Sequence, residues 1–564
     1  VDLKPLETSS AGRDFIVTAS SASRASGRPD NQTIGQSNNR TILHDVLVGE
    51  VWYVSGQSNA ECPLWNNIKD GNNPRFRDGN GGLVAQMTYR PFVRMCYASD
   101  YRTSDTPREE APFAVKWEAF TPESLGLGEG HGFSAIGAYY ALELYAALDV
   151  PVGVVGSYWG GTRIEPWIPS EGFAAIGMDP QTDRTATVAP ATGKPRDACQ
   201  LPSRLWNEMV NPFVPMAMRG MIWYQGCSNS GDEPARYLRL MHGLYRGWSR
   251  KFENDAMRLY FVQLAPWSSG GHPEFQQAQS AFAEQEPNAA IAVINDLGNL
   301  TDIHPNRKED VARRLAVHAL KRDYGFAAIE DDSPTLRSYR VEGDRFILTF
   351  DHAKSFYLYN ERYCSQSNAF EICGANGVWR PGRIHNFIRH KKDGSYRGGI
   401  AGGNVLEVSA DGVAEPKKLR YLYSRPWKGT LYNEVCLPLG AFSVDVSQQV
   451  RWVWRETDGL ARLVFTFRSP VATTFEVAVN GQRAGSVAVP PSSSANGITV
   501  PFDASFRKGL NDVRIYAKEL PEFIGFKVET PVKTAGLETE KWQRMIDVDR
   551  AAKEDAVRPV RQGG

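Results

Sequence analysis

Short apolar runs in the first half of the chain predict a series of buried strands. Val51–Val54, Val152–Val155 and Met221–Tyr224 are each apolar throughout and each stop at a Gly, Ser or Gln. Two further runs, Leu259–Leu264 and Ala290–Ile294, follow at similar intervals. Runs of four to six apolar residues bounded by turn residues are typical of strands that are buried on both faces.

Helical patterns lie between these strands. Apolar side chains at Phe133, Ile136, Tyr140 and Leu144 are spaced by three and four residues, which predicts an amphipathic helix. Two more helices are predicted, and they span residues 237–252 and 306–322. Strands that alternate with helices indicate parallel βαβ units, so the predicted fold class is α/β with a doubly wound parallel sheet. In such sheets, ligands bind at the carboxyl ends of the strands.

The second half of the chain has a different pattern. After about residue 330 the helical signal fades, and residues 331–446 contain short strand signals separated by Gly, Pro and Asn. Residues 449–530 alternate with period two, and Asn480-Gly481 predicts a hairpin turn between two of their strands. We therefore expect accessory β-rich domains, the last of them a small β-sandwich. Its Phe465, Phe467 and Phe475 alternate like core positions, which favours a structural role over carbohydrate binding.

These patterns predict five segments. Residues 1–47 are an N-terminal β region, 48–330 an α/β domain, 331–446 a β-rich part, 447–532 a β-sandwich accessory module, and 533–564 a charged C-terminal tail. The chain starts at Val1 without an initiator Met or an apolar signal segment, so we expect a processed or truncated product.

Composition excludes several classes of protein. The 564 residues include 64 basic and 64 acidic side chains, so no excess of Lys and Arg is available to neutralise nucleic-acid phosphates. The hydrophobic fraction of 42% is too high for a disordered chain, and no apolar run is long enough to span a membrane. The seven cysteines form no CxxC pair, so no structural zinc site is expected.

Four polar turns follow predicted strands, and they carry the candidate chemistry. Ser58, in SGQSNA, is a serine among small residues that can project its hydroxyl into a cleft. Gly160 and Gly161, in the second turn, allow backbone N–H groups to approach a developing oxyanion. Gln225 and Asn229, in the third, carry amides that can donate to an oxyanion, hold a substrate hydroxyl or cap the next helix.

The fourth turn contains Asp302 and His304 beside a helix start. A histidine with a carboxylate two residues earlier can act as a general base with an orienting acid. Alternate side chains on an extended segment point the same way, and Pro305 favours an extended residue before it.

Together these segments resemble the sialate O-acetylesterase family of the SGNH-hydrolase superfamily. The blocks that carry the resemblance are, in family order, GEVWYVSGQSNA, WGGTRIEPW, LWNEMVNPF, GMIWYQGCSN and DIHPNRKEDVARRLA. Weaker similarity continues through FEICGANGVWRPGRI and LRYLYSRPWKGTLYNEVCLPLGAFSVD, so it covers roughly residues 1–446.

The resemblance implies a role for each matching residue. Ser58 matches the nucleophile, His304 the general base, and Asp302 its orienting carboxylate. The oxyanion hole would consist of the Ser58 N–H, the N–H of Gly160 or Gly161, and the side chain of Gln225. Further substrate contacts would come from four residues of these blocks: Gln57, Asn59, Arg163 and Asn229.

The resemblance also implies an activity. The family removes acetyl groups from sugar hydroxyls, so we expect an acetylated carbohydrate as substrate, sialic acid O-acetyl groups first and acetylxylan or another polysaccharide second. The expected acyl-enzyme mechanism needs no cofactor and no metal. A secreted or periplasmic location follows by family analogy.

Four departures from the family pattern stand out. The family usually has Met at Ala60 and Glu at Cys227, and the second change affects the third block. Asp302 and His304 are one residue closer than the commoner Asp-x-x-His, which leaves Asp296 as a second possible orienting acid or a Ser–His dyad without one. The N-terminal β domain is shorter than the family's.

Two rival functions remain. An α/β-hydrolase would carry G-x-S-x-G, but Ala60 occupies the last position and the acid lies close to the histidine. A catalytically inactive carbohydrate-binding relative would keep the aromatic residues (11% of the chain) and lose the nucleophile or the base, whereas both are present.

Overall fold

The structure is a computed structural model in which most of the chain is described. The described residues are 9–19, 39–69, 90–98, 100–112, 115–121, 132–180, 198–267, 273–299, 301–358, 369–392, 395–400, 403–423, 431–446, 448–454, 459–468, 472–479, 482–492, 497–506, 511–517 and 522–529. The predicted C-terminal tail and the Asn480-Gly481 turn lie outside them.

The first described part is an antiparallel pair followed by a mixed α/β region. The pair consists of β1 (Ser9–Ala19) and β2 (Asn39–Val48). The strands of the α/β region are β3 (Glu50–Gly56), β4 (Arg90–Tyr97), β5 (Glu118–Phe120), β6 (Val152–Tyr158), β7 (Gly220–Tyr224), β8 (Arg258–Val262) and β9 (Ala289–Ala292). Its helices are α1 (Ser58–Glu61), α2 (Leu64–Lys69), α3 (Ala135–Leu148), α4 (Ser170–Ala175), α5 (Pro234–Lys251), α6 (Pro273–Gln285) and α7 (Lys308–Arg322). The predicted strands and helices are therefore confirmed, with ends shifted by a few residues.

A seven-stranded sheet organises this region in the order β5-β4-β6-β3-β7-β8-β9. Every pairing is parallel except that of the edge strand β5 with β4. Trp52, Tyr53 and Val54 of the central strand are fully buried, because helices cover the sheet and a parallel strand of this kind faces protein on both sides. Helices α3 and α7 pack together, and α4, α5 and α6 form a second group.

The register of the central strands places the polar turns side by side. Gly56 at the end of β3 is level with Tyr158 of β6 and Tyr224 of β7. Gly56 has φ +139°, and a Cβ there would lie 2.2 Å from the Tyr224 carbonyl oxygen, so only glycine fits. The residues that follow these three positions therefore emerge at one edge of the sheet.

The rest of the described chain is all β. A seven-stranded antiparallel sheet and a four-stranded sheet are built from β10 (Thr335–Glu342), β11 (Arg345–Asp351), β12 (Phe356–Leu358), β13 (Phe370–Gly374), β14 (Trp379–Ile384), β15 (Phe387–Lys392), β16 (Ser395–Ile400), β17 (Val405–Ala410), β18 (Pro416–Tyr421), β19 (Leu431–Asn433) and β20 (Phe442–Asp445). A four-stranded and a three-stranded sheet are built from β21 (Gln448–Trp454), β22 (Gly459–Arg468), β23 (Thr473–Val479), β24 (Gln482–Val489), β25 (Ile498–Phe506), β26 (Asn511–Ala517) and β27 (Glu522–Glu529).

The last two sheets have their own core. Phe465 and Phe475 are fully buried there and contact each other edge to face, with ring centroids 5.5 Å apart. Both were predicted as core positions. The side chain of Phe467 lies outside the described part. Across the described residues, no helix is both long enough and apolar enough to cross a membrane.

Candidate active site

Ser58 lies where the central strand of the sheet ends. It opens the short helix α1, two residues beyond the end of β3, and is half-buried. The N–H of Gln57 donates to the Tyr224 carbonyl at 3.1 Å, and that of Trp159 donates to the Gly56 carbonyl at 3.2 Å. These bonds join the turns after β3, β6 and β7, so the serine sits on a fixed part of the backbone.

His304 contacts the serine from the loop between β9 and α7. Its Nε2 lies 2.9 Å from the Ser58 Oγ, and its Nδ1 lies 3.2 Å from Asp302 Oδ1. The same carboxylate oxygen accepts the backbone N–H of His304 at 2.9 Å. The structure thus brings together the three side chains that the sequence predicted as a unit, and we call them the Ser58 group. The histidine and aspartate side chains are about half exposed, 47% and 48%.

Asp296, the other possible orienting acid, contacts different residues. Both of its oxygens pair with the Arg314 guanidinium at 2.7 Å, and the Tyr432 hydroxyl lies 3.4 Å away. Its side chain is only 7% exposed. Asp296 therefore belongs to a buried ion pair, and Asp302 is the carboxylate that contacts His304.

The two glycines of the second turn differ in position. A Cβ placed on Gly160 would lie 3.4 Å from the Ser58 Cβ and 2.7 Å from Glu61 Oε2, so this glycine packs directly against the nucleophile segment. Gly161 is exposed and has φ +76°, and the site of its Cβ is open. In the part of the chain that the structure describes, the N–H groups of Ser58 and Gly160 donate no hydrogen bond. Both donors are available to an oxyanion beside Ser58.

Gln225 is placed differently from its predicted role as an oxyanion donor. Its side chain is fully buried, and its Nε2 donates to the Thr162 carbonyl at 3.2 Å and to Asn229 Oδ1 at 2.8 Å. Its Oε1 accepts from the Tyr237 hydroxyl at 3.1 Å. Both amide hydrogens are used inside the protein, so Gln225 braces the second turn and does not serve as a free donor.

The predicted substrate contacts Gln57 and Asn59 also point into the protein. Gln57 is 3% exposed, and its Oε1 accepts the N–H groups of Gly226 and Ser228 at 3.2 and 3.3 Å. Asn59 is 1% exposed and donates to the Ile303 carbonyl at 3.1 Å. The amides of both residues therefore connect the segments around Ser58 to each other, and their predicted contact with substrate stays a prediction.

Arg163 and Asn229 belong to a buried charge network. Arg163 donates to Glu165 at 3.0 Å and to Asp232 at 2.5 Å, and Asn229 donates to the same two carboxylates at 3.2 and 3.0 Å. Arg236 completes the network with bonds of 2.8 and 3.3 Å. Two cations balance two anions in this network, and the predicted substrate contacts of Arg163 and Asn229 stay a prediction.

Electrostatics in this network follow from pairing. Burial by itself would raise the pKa of the Glu165 carboxyl, but Arg163 and Arg236 lower it below its usual range. Removing one partner of a buried ion pair strongly destabilises the folded protein, because the remaining charge is left buried without compensation. We refer to Gln57, Arg163, Glu165, Gln225, Asn229, Asp232 and Arg236 as the supporting network.

Lys308, which the sequence analysis did not single out, lies under the Ser58 group. It is the first residue of α7, is 1% exposed, and donates from Nζ to Asn59 Oδ1. Its ammonium lies over the Tyr224 ring, 5.3 Å from the centroid. Burial lowers the pKa of Lys308 to about 8, and it raises that of the neighbouring Cys227 thiol to about 11. The sequence places this lysine only three residues after Pro305, close to the candidate base, but lysines are rarely buried and its role could not be predicted.

Acidic and histidine side chains also converge away from the Ser58 group. His318, Asp331 and Asp332 have ligand atoms close together, as do Glu330, Asp332 and His352. Arg322 donates to both aspartates at 2.6 and 2.7 Å, and Lys321 lies 2.6 Å from Asp331. The protein's own cations already neutralise these carboxylates, so the clusters are explained as ion pairs.

Comparisons with known proteins agree with this geometry. Residues 48–320 match the family model described as carbohydrate esterase, sialic acid-specific acetylesterase. The chain is 29% identical to the sialate O-acetylesterase of Rattus norvegicus over 401 residues, 63% of this chain and 71% of the relative. It is 28% identical to the human sialate O-acetylesterase over 327 residues, 54% and 59% of the two chains.

A solved structure extends the similarity. A carbohydrate acetylesterase from Xanthomonas citri superposes with a TM-score of 0.58 at 28% identity, and the match covers 73% of this chain and 84% of that one. The sequence and structural comparisons point to the same family as the motifs. Over residues 48–320, the chain is therefore similar to the sialic acid-specific acetylesterases among the carbohydrate esterases.

Proposed function

We propose that this protein hydrolyses acetyl esters on sugar hydroxyls by an acyl-enzyme mechanism in which Ser58 is the nucleophile. One observation carries the proposal: the Ser58 Oγ lies 2.9 Å from His304 Nε2, whose other ring nitrogen lies 3.2 Å from Asp302. The match of residues 48–320 to the carbohydrate esterase family model supports the carbohydrate ester as substrate class.

In the proposed reaction, His304 accepts the Ser58 proton while the Oγ attacks the acetyl carbonyl. The carbonyl oxygen becomes an oxyanion, which accepts hydrogen bonds from the N–H groups of Ser58 and Gly160. His304 then donates its proton to the departing sugar alkoxide. Water then attacks the acetyl-enzyme and gives a proton to His304. His304 passes this proton to the Ser58 Oγ as the bond between that oxygen and the acetyl carbon breaks, and acetate leaves.

Asp302 has the role of orienting the base. Its carboxylate accepts from the ring nitrogen that faces away from Ser58, which fixes Nε2 as the proton acceptor. Its second bond, to the His304 backbone N–H, holds the turn that carries the ring. The mechanism uses only these protein groups, and no metal or cofactor has a step in it.

The sheet order and the position of Ser58 after its central strand also support an SGNH-type arrangement of the catalytic domain. We further propose that residues 447–532 are an accessory module and that the protein acts outside the cytoplasm, where acetylated glycans occur. A chain ending near Val446 keeps the whole Ser58 group, so we expect it to retain hydrolysis of a small acetyl ester.

The test is release of acetate from O-acetylated sialic acid, acetylated xylan and acetylated pectin by purified protein. Release from sialic acid at the highest kcat/KM, and none from the Ser58→Ala variant, is the expected result. A preference for acetylxylan would mean that the protein performs the same reaction on a plant polysaccharide. Sugar binding without acetate release from any of the three would favour the inactive carbohydrate-binding relative.

A further inference from the structure

Two aromatic rings stack beside the oxyanion glycine. Tyr101 lies in the segment between β4 and β5, and Trp159 immediately precedes Gly160. Their ring centroids are 4.9 Å apart at an interplanar angle of 28°, so the indole fixes the orientation of the tyrosine ring. Tyr101 nevertheless remains 48% exposed, while Trp159 is half-buried. The outer part of a fixed ring is thus open to solvent.

A carboxylate connects this aromatic pair to the nucleophile. The Tyr101 hydroxyl donates to Glu61 Oε1, and Glu61 is the last residue of the helix that begins at Ser58. Its other oxygen, Oε2, lies 2.7 Å from the position of a Cβ on Gly160, and the Ser58 Cβ lies 3.4 Å from the same point. A single carboxylate side chain therefore separates the tyrosine hydroxyl from the reacting serine.

The chemistry of these groups matches a sugar ring. A pyranose presents a flat patch of C–H groups, which packs on an exposed aromatic face, and hydroxyls, which donate to an ionised carboxylate that can only accept. The negative charge of Glu61 would repel an anionic substituent at this point. We propose, resting on the acetylesterase function above, that Tyr101, Trp159 and Glu61 form the subsite that holds an uncharged, hydroxyl-bearing face of the substrate sugar.

In this subsite the ring of the leaving alcohol stacks on Tyr101, and one of its hydroxyls donates to Glu61. The acetyl group then reaches Ser58 and the N–H of Gly160. Specificity for a sugar ester over a small acyclic ester arises from this contact, because an acyclic alcohol has no flat ring face to pack on tyrosine.

The experiment compares two substrates in the full chain. Tyr101→Ala should lower kcat/KM for the acetylated sugar about tenfold more than kcat/KM for triacetin, an ester without a ring, and chiefly through KM. Tyr101→Phe keeps the ring and should restore most of the sugar activity. The matched control is Tyr357→Ala, on β12, because Tyr357 is a similarly exposed tyrosine (42%) outside the proposed subsite. This control variant should leave kcat/KM unchanged for both the acetylated sugar and triacetin.

Equal losses on both substrates in Tyr101→Ala would show that the ring only braces the turn, and this would overturn the subsite. No loss on the sugar would overturn it as well. A wild-type protein that hydrolyses neither ester would overturn the proposed function instead. The subsite would then be judged by calorimetric binding of the same acetylated sugar, which Tyr101→Ala must weaken about tenfold.

Discussion

The Ser58 group and the supporting network differ in exposure although they occupy the same sheet edge. His304 and Asp302 are about half exposed, whereas Gln225 and Asn229 are fully buried. In the sequence, all of them are polar residues in turns that follow buried strands. The polar turns thus form two layers, an exposed one that meets substrate in the proposed function and a buried one that holds the first in place.

The largest expected effect is on the exposed layer. Ser58→Ala and His304→Ala should each lower kcat by at least about a thousandfold, because each removes a group that makes or breaks a bond. Their melting temperatures should stay near wild type, because Ser58 is only half-buried and His304 is half exposed. Ser170→Ala, which also replaces the first residue of a short helix, is the matched control. Retained activity in Ser58→Ala would move the nucleophile to another residue.

Replacing Asp302 should affect mainly the reaction rate, whereas replacing Asp296 should affect mainly the stability of the fold. Asp302→Ala should lower kcat, by about a hundredfold less than His304→Ala, because a carboxylate that orients the base makes no bond to the substrate. Asp296→Ala should instead lower the free energy of unfolding by about 3 kcal/mol, because it leaves the buried Arg314 unpaired. Single-turnover kinetics and urea unfolding of both variants measure this. The reverse pattern would make Asp296 the orienting acid.

The supporting network should respond mainly in stability. Asn229→Ala removes the acceptor of the Ile164 N–H and the donor to two carboxylates, so the free energy of unfolding should fall by about 2–3 kcal/mol. Urea unfolding of this variant can be compared with Asn376→Ala, an exposed asparagine. If Asn229→Ala has the wild-type free energy of unfolding but a higher KM, Asn229 contacts the substrate.

The smallest expected effect, at about 1.4 kcal/mol for each pH unit, is a pH dependence at Lys308. Burial lowers its folded pKa to about 8, below the usual 10.5. Below pH 8 Lys308 is protonated in both the folded and the unfolded protein. Between pH 8 and 10.5 the unfolded protein binds more of this proton, so the free energy of unfolding rises with pH. The difference in unfolding free energy between wild type and Lys308→Met should therefore shift in favour of wild type by up to about 3 kcal/mol across this interval. Unfolding at pH 7.5 and 10.5 measures it.

Lys321→Met is the control for that experiment. Asp331 and Glu330 raise the pKa of Lys321 although desolvation acts in the opposite direction, so its contribution to stability is lost as pH rises. The two lysines should show opposite signs. The same sign in both would mean that Lys308 is not buried as a cation in solution.

The sequence predicted the elements, and that Ser58, His304 and Asp302 lie together, better than it predicted the direction of the other polar side chains. Apolar runs identified β3, β6 and β7, and the turns after them did meet at one edge because parallel strands align their ends. The sequence did not indicate that Arg163 and Gln225 bond to buried groups of the protein, because some of those groups are distant along the chain. Arg163 and Asp232, for example, are 69 positions apart.

Lys308 and Gly160 show the same limit. A lysine at the start of a helix is normally solvated, whereas this one is buried against Asn59 and the Tyr224 ring. The sequence left Gly160 and Gly161 equivalent as donors, and their distance from Ser58 distinguishes them. Patterns along the chain specify which face is apolar, while the partner of a polar group depends on tertiary contacts that spacing does not encode.

The separation of Ser58 and His304 along the chain has a consequence for how activity first appears. They are 246 positions apart, and the strands between them complete the sheet from β4 to β9. Closing such a long loop costs entropy, and contacts of this range form late in folding. During synthesis Ser58, the proposed nucleophile, therefore leaves the ribosome long before His304, the proposed base. The growing chain has no esterase activity until the loop before α7 has docked, so recovery of hydrolysis in a refolding experiment reports completion of the whole sheet.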